Sequence, residues 1–152
     1  MPEPYDRTLG VTVQREELHA AMIALEDAAA SAATSREAAW QAQMRAALEQ
    51  VDAAFDVHVH FTESPGGLYS EILSTSPRLA HALTAVRDEH PVIARSIEDL
   101  HAALRSSECE HAEGVAQCRE LCGRTLGLLV RHRQRGADLT YSAFEHEIGG
   151  NG

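Results

Sequence analysis

The sequence has few aromatic residues, few basic residues and no long apolar run, and each shortage narrows the class of protein. Aromatics make up 5% of the 152 residues, β-branched side chains are sparse and alanine is abundant, a mixture that favours helices over strands. Thirteen basic residues stand against 23 acidic ones, a formal net charge of −10, which argues against a nucleic-acid partner or an anionic membrane. No apolar run approaches the ~20 residues of a bilayer span, and the N-terminus has no signal-like pattern. A single cytoplasmic domain is expected.

Cysteine is also scarce, and its spacing excludes several kinds of site. The chain has three cysteines, Cys109, Cys118 and Cys122, and an odd number without a signal argues against a disulfide framework. Cys118 and Cys122 lie one helical turn apart with His111 nearby. In the absence of a CxxC pair, this spacing favours buried, reduced thiols over a small zinc site. No serine-nucleophile motif or glycine-rich phosphate loop is present either.

Four segments repeat apolar residues at steps of three and four, the pattern of amphipathic helices. The first runs from about Val13 to Ala30. The second starts near Thr34, which forms a capping-box pattern with Glu37, and ends before the helix-breaking sequence SPGG.

The third segment opens with Ser76 as N-cap and Pro77 at the first helical position. Its apolar stripe continues to Leu104, with Pro91 predicting a kink or a break inside it. The fourth segment runs from about residue 113 to residue 148. Four such helices with short connections predict an all-α, antiparallel up-down four-helix bundle. The bundle spans about residues 13–148 of one domain covering residues 1–152, with short disordered ends.

Histidine is the residue type that points to function, because nine histidines are many for this length. In the sequence DVHVHFTESPGG, His58 continues the second apolar stripe past Phe55. His60 lies roughly 200° further around the helix at ~100° per residue and should face outward. His90 and His132 fall on the third and fourth stripes, and His19 flanks the first stripe on its inward side. One inward histidine on each of four helices indicates a shared metal ion, because several buried imidazoles without partners are costly.

Three segments around these histidines resemble the hemerythrin-like (HHE) family. VRDEHPVIARSIEDLHAAL is similar to the third helix of that family, EQVDAAFDVHVHFTES to the second and LGLLVRHRQRGADLTYSAFEHEIGG to the fourth. The resemblance covers about residues 14 to 148 and implies a four-helix bundle with a non-haem di-iron centre. The roles it implies are oxygen binding, peroxide handling or sensing. Carried over residue by residue, the histidine positions of the family match His19, His58, His90 and His132.

The carboxylates of the family pattern are displaced in this chain. Thr62 stands four residues after His58, and the nearest acid is Glu63, five residues after it. Gly136 stands four residues after His132. A di-iron site needs bridging carboxylates, so three interpretations remain open. The site holds one metal ion with mostly histidine ligands; or it takes carboxylates from displaced positions; or it has lost its metal. The displaced carboxylates considered are Glu63, Glu71, Asp138 and Glu145.

The sequence therefore predicts a hemerythrin-like metal-binding protein. Its cofactor is expected to be mono- or dinuclear non-haem iron, with zinc or no metal as alternatives, and its small ligand is expected to be O2, another diatomic molecule or peroxide. The expected oligomeric state is a monomer or a small homo-oligomer, with no nucleic-acid or membrane partner. The competing hypothesis is a metal-free bundle that acts as a protein-interaction or sensor module. The predicted metal ligands are His19, His58, Glu63, His90 and His132.

A basic stretch, RHRQR from Arg131 to Arg135, stands out against the acidic background. It predicts ion pairs on the surface of the bundle. An acidic partner or an anion is the alternative interpretation.

Overall fold

The computed structural model is all-helical over the residues that it describes, which are residues 4–149, with side chains described for residues 10–144. Four long helices dominate: α1 (Pro4–Ala30), α2 (Glu37–Glu63), α5 (Glu89–Arg105) and α6 (Ala112–Gly149). Two short helices, α3 (Leu68–Thr75) and α4 (Ala80–Arg87), lie between α2 and α5. Short 3-10 turns at Pro77–Leu79 and Ser107–Glu110 complete the connections.

The long helices form a helical bundle in which each contacts two others, in the cyclic order α1, α2, α5, α6. Among residues 4–149, no helix combines the length and the apolar character that a membrane span requires. The main core lies between the long helices and contains Trp40, Met44, Leu48, Ile97 and Leu100 among its fully buried side chains.

A second, smaller core lies where α3 and α4 pack against the C-terminal part of α6. It is formed by Tyr69, Ile72, Leu83, Val86, Leu139 and Ala143. Along α6, His132 lies between Leu129 of the main core and Leu139 of the second core. The histidines described below therefore occupy the boundary between two apolar regions.

The helix boundaries differ from the predicted ones in three places. Helix α1 begins at Pro4 rather than near Val13. Of the short disordered ends predicted outside about residues 13–148, residues 1–3 and 150–152 lie outside the described residues. The predicted capping box is wrong, because α2 has Arg36 as N-cap with no side-chain cap. The Glu37 carboxylate instead accepts a hydrogen bond from the backbone N–H of Ser35 at 3.2 Å.

The third predicted helix is divided at Asp88 into α4 and α5. Pro91 is the third residue of α5, within the first turn, where a missing N–H costs nothing because the first four amides of a helix have no intrahelical partner. A continuous helix would have required a donor at position 91 for the carbonyl of Arg87. The break therefore precedes the proline by three residues, and it leaves His90 in the first turn of a new helix.

The turn after α2 depends on two glycines. Gly66 has a φ of +77°, a left-handed conformation that glycine adopts without strain. A Cβ on Gly67 would lie 2.7 Å from the carbonyl oxygen of Phe61, so a larger residue would push the chain away from the end of α2. This close turn brings α3, and with it Tyr69, back over the bundle beside His90.

Candidate metal centre

Three buried histidines from three different helices meet in one layer of the bundle. His58 comes from α2, His90 from α5 and His132 from α6, and they are 9%, 3% and 1% exposed. Each is three residues from a buried side chain of the main core on its own helix, namely Phe55, Ile93 and Leu129 respectively. The 3.6-residue helical repeat therefore turns all three imidazoles toward the same interior.

The three rings approach one another through their Nε2 atoms. The Nε2 atom of His132 lies 3.0 Å from Nε2 of His58 and 3.1 Å from Nε2 of His90. One ligand atom from each of the three residues can be chosen so that all lie within 4.8 Å of one another. The ring centroids are 4.8–5.2 Å apart and the rings are edge to face, which leaves the nitrogens, rather than the ring faces, in contact.

The outward-facing nitrogen of His58 is fixed by Gln14 of α1. His58 Nδ1 lies 2.9 Å from the side-chain oxygen of Gln14, and Gln14 is itself buried. The amide nitrogen of Gln14 donates to the carbonyl oxygen of Val11 at 3.2 Å, so the amide oxygen has to face the imidazole. We therefore assign the His58 proton to Nδ1.

The outward-facing nitrogen of His132 meets a carboxylate. His132 Nδ1 lies 3.0 Å from Glu89 Oε1, and the other oxygen of Glu89 is held by Arg135. A carboxylate in an ion pair only accepts hydrogen bonds, so His132 also carries its proton on Nδ1. His90 Nδ1 lies 3.5 Å from Glu63 Oε2, an electrostatic contact that is too long for a well-formed hydrogen bond.

The consequence is that two lone pairs face each other without a proton between them. With Nδ1 protonated on neutral His58 and His132, their two Nε2 atoms at 3.0 Å are both acceptors. The Nε2 atom of His90 lies 3.1 Å from Nε2 of His132 and 3.4 Å from the hydroxyl of Tyr69. Buried acceptors that face one another repel, unless a cation lies between them.

A proton is a poor candidate for that cation at neutral pH. Burial, reinforced by the neighbouring His132 and His90, lowers the pKa of His58 to about 3. Burial and the neighbouring His132 lower the pKa of His90 to about 4, and burial lowers the pKa of His132 to about 4. The three imidazoles are therefore neutral at pH 7, the form in which imidazole binds a metal ion.

The donor set fits one transition-metal ion. Two nitrogens bound tetrahedrally to one ion at ~2.0–2.1 Å are about 3.4 Å apart. The observed separations of 3.0 and 3.1 Å are close to that value, and all three ligand atoms lie within 4.8 Å of one another. Outer acceptors on the Nδ1 atoms are typical of metal-binding histidines. Among residues 10–144, this is the only group of three or more histidine, cysteine or acidic side chains with ligand atoms this close together.

A second metal ion does not fit the described side chains. A dinuclear centre requires carboxylates that bridge the two ions. The two nearby carboxylates, Glu63 and Glu89, contact Nδ1 atoms on the outside of the cluster and not the Nε2 atoms at its centre. The side chains that converge are therefore three imidazoles without a bridging carboxylate.

A small cavity adjoins the cluster on the side of α1 and α3. Its volume is about 30 Å³, and its walls include His58, His132, Thr62 and Tyr69. That volume holds roughly two water-sized molecules. Burial raises the pKa of Tyr69 to about 12, so its hydroxyl remains a hydrogen-bond donor at the edge of the site.

The structure brings together three of the five predicted ligands. His58, His90 and His132 converge, and His60 is exposed as predicted. His19 is exposed, contrary to its predicted inward placement, and accepts a hydrogen bond from Arg133 at 3.0 Å. Glu63 lies in the outer layer with its side chain 35% exposed.

The other predicted carboxylates do not join the three imidazoles. Asp138 is exposed and accepts a hydrogen bond from Gln134 at 3.0 Å. Glu71 is half-buried and is not part of the cluster, and the side chain of Glu145 lies outside the described residues. The three cysteines are buried and free, as the sequence predicts.

Sequence reasoning missed the two residues that orient the imidazoles, Gln14 and Glu89. Gln14 precedes Leu18 by four residues, so it extends the first apolar stripe by one turn. A polar residue on that stripe was the available signal. Glu89 directly precedes His90, but it contacts the histidine of another helix, and no spacing within one helix indicates such a contact.

No protein-family model, no curated protein sequence and no solved structure matches the chain. The ligand geometry is therefore the basis for the function proposed below, with the hemerythrin-like resemblance resting on the residue pattern.

Proposed function

We propose that this protein binds one first-row transition-metal ion through the Nε2 atoms of His58, His90 and His132. The observation that carries the proposal is the convergence of three buried imidazoles through their Nε2 atoms. Imidazole suits iron, zinc, copper and nickel, whereas calcium and magnesium prefer oxygen ligands. Iron follows from the family resemblance and zinc from the all-imidazole ligand set.

We further propose that the bundle is an antiparallel up-down bundle of the hemerythrin-like type, whose site has changed from two ions to one. The cyclic contacts of the four long helices support this arrangement. His58 is near the end of α2 and His90 is near the start of α5, as two antiparallel helices require of residues at one level.

The residues around the cluster have distinct roles. Gln14 and Glu89 hold the imidazoles of His58 and His132 in one tautomer and orientation. Phe55 packs against His58 and His90 and excludes water from the core side of the cluster. The cavity beside Tyr69 leaves one side open to a ligand of a few atoms. A redox-active ion with an open coordination position would supply binding of O2, another diatomic molecule or peroxide.

Two matched histidines on one helix test the proposal. Wild-type protein, His58→Ala and His60→Ala are purified without an affinity tag and loaded anaerobically with ferrous iron or with zinc. Bound metal is then measured by elemental analysis after gel filtration. We expect about one equivalent in wild type and in His60→Ala, and less than about a tenth of an equivalent in His58→Ala, because a missing ligand leaves only two imidazoles.

Circular dichroism establishes that His58→Ala remains helical, so that lost metal is not lost fold. Wild-type protein that retains less than about a tenth of an equivalent of either ion would contradict the proposal. That result would favour the metal-free interaction or sensor module. Equal loading of the His58 and His60 variants would place the ion elsewhere in the molecule.

A further inference from the structure

Two arginines line the cavity beside the histidine cluster. Arg15 of α1 and Arg133 of α6 share its walls with His58 and His132. This side of the cluster is positively charged in a protein with a formal net charge of −10.

Arg133 is held in place but incompletely partnered. One of its terminal nitrogens donates to Nδ1 of His19 at 3.0 Å. Its Nε atom is buried and has no hydrogen-bond partner, and a buried donor without a partner is costly. His19 therefore positions an arginine beside the site rather than joining the three imidazoles.

Within the part of the chain whose side chains are described, residues 10–144, neither Arg15 nor Arg133 forms an ion pair with an acidic side chain within 4.0 Å. Burial, and then repulsion from Arg15, lower the pKa of Arg133. The other two arginines of RHRQR differ from Arg133, because Arg135 is paired with Glu89 and Arg131 is exposed.

We propose that Arg15 and Arg133 select a small monoanion of two or three heavy atoms as the ligand that enters this cavity and completes the metal site. This inference rests on the function proposed above. Three neutral imidazoles leave the charge of a divalent ion uncompensated, and the two arginines add to it. A monoanion balances charge and accepts the hydrogen bond that the Nε atom of Arg133 has available.

The size and lining of the cavity limit the ligand. A volume of about 30 Å³ admits a ligand of a few atoms. The carboxylates of Glu63 and Glu89 are not among the residues that line the cavity, so an anion there does not contact them. The side chain of Tyr69 also lines the cavity, and its hydroxyl offers a second donor.

Azide is a suitable probe, because it is a linear monoanion of three atoms. Protein loaded with Co²⁺ is titrated with sodium azide in chloride-free buffer, and the dissociation constant is read from the visible absorption of the bound cobalt. Arg133→Gln is compared with Arg131→Gln, which removes the same charge from an exposed position two residues away, and with Arg133→Lys, which keeps the charge.

We expect Arg133→Gln to weaken azide binding by at least about tenfold, because a full charge close to the ligand in a buried site is lost. Arg131→Gln should stay within about twofold of wild type, and Arg133→Lys should recover most of the loss. Elemental analysis of each variant before the titration distinguishes a loss of metal binding from a loss of azide affinity. Failure of wild-type protein to load cobalt would contradict the metal site itself. Normal loading with equal azide affinity in Arg133→Gln and Arg131→Gln would overturn the role of the arginine.

Discussion

Two buried layers of polar side chains lie two turns apart on α6. The hydroxyl layer of Ser96 and Thr125 satisfies its own hydrogen bonds, whereas the imidazole layer of His58, His90 and His132 does not. Thr125 Oγ1 lies 2.7 Å from Ser96 Oγ of α5 and donates to the carbonyl oxygen of Leu121 at 3.0 Å. Every polar atom of this hydroxyl pair has a partner within the chain. Seven residues later, His132 presents a lone pair to His58, which also presents a lone pair, and lies 3.1 Å from Nε2 of His90.

We infer from this difference that the hydroxyl layer has a structural role and the imidazole layer a functional one. The hydroxyl layer satisfies its own hydrogen bonds and needs nothing from solution, so its role is to join α5 to α6. The imidazole layer is oriented by Gln14 and Glu89 into an arrangement that costs free energy until a cation binds. Burial alone does not distinguish the two layers, because Thr125 and His132 are 0% and 1% exposed.

The largest expected difference between the layers is in their response to pH. The folded-state pKa values of the three imidazoles, about 3 to 4, are below the ordinary value of 6.5. The unfolded chain therefore binds protons first as the pH falls. Their contribution to stability is fully present above pH 6.5 and is lost progressively toward pH 4. The metal-free protein should lose roughly 2–3 kcal/mol of unfolding free energy between pH 8 and pH 6 from the three histidines together.

Urea unfolding at each pH, with chelator present, measures this loss. A midpoint that does not change between pH 8 and pH 6 would mean that the imidazoles are not held neutral inside the fold. Saturating zinc should raise the midpoint at pH 8, since metal binding stabilises the folded state.

The next effect concerns the outer residues of the imidazole layer. Glu89→Gln keeps an acceptor for His132 but removes the negative charge and the ion pair with Arg135. Metal affinity should fall about 10- to 100-fold, the usual cost of changing such a partner. A competition titration with a chromophoric chelator measures it, and Glu98→Gln, at an exposed position of the same helix, is the matched control. Equal metal affinities in the two variants would show that Glu89 does not contribute to metal binding.

The smallest effect is expected in the hydroxyl layer. Thr125→Val should lower the free energy of unfolding by about 1 kcal/mol through the lost hydrogen bond, while metal loading remains at the wild-type level. Thr125→Ser retains the hydroxyl and should lose less of the hydrogen-bond contribution. A large loss of metal in Thr125→Val would contradict the expectation that the hydroxyl layer is independent of metal binding.

The sequence predicted the inward histidines on the second, third and fourth stripes because a 3.6-residue repeat is readable within one helix. It did not predict the outward position of His19, which lies next to the buried Leu18. One residue corresponds to ~100° of rotation, so a position that flanks a stripe is not settled by spacing alone. The break at Asp88 was likewise displaced from Pro91, because a proline is compatible with the first turn of a helix.

The spacing of residues along the sequence did not predict the contacts between helices. The pairing of Glu89 with His132, and of Arg133 with His19, joins residues 43 and 114 positions apart. Such contacts depend on the rotation and level of whole helices, which no local spacing determines. The prediction of a carboxylate ligand illustrates the same limit, because Glu63 has a suitable spacing from His58 but contacts the outer nitrogen of His90.

X-ray absorption spectroscopy at the metal edge of the zinc- or iron-loaded protein tests the central claim most directly. A single ion on three Nε2 atoms predicts three imidazole nitrogens at about 2.0–2.1 Å, with the outer-shell scattering of imidazole rings and no second metal. A metal–metal distance in the spectrum, or a shell dominated by oxygen or sulfur, would contradict the account of a mononuclear site formed by His58, His90 and His132.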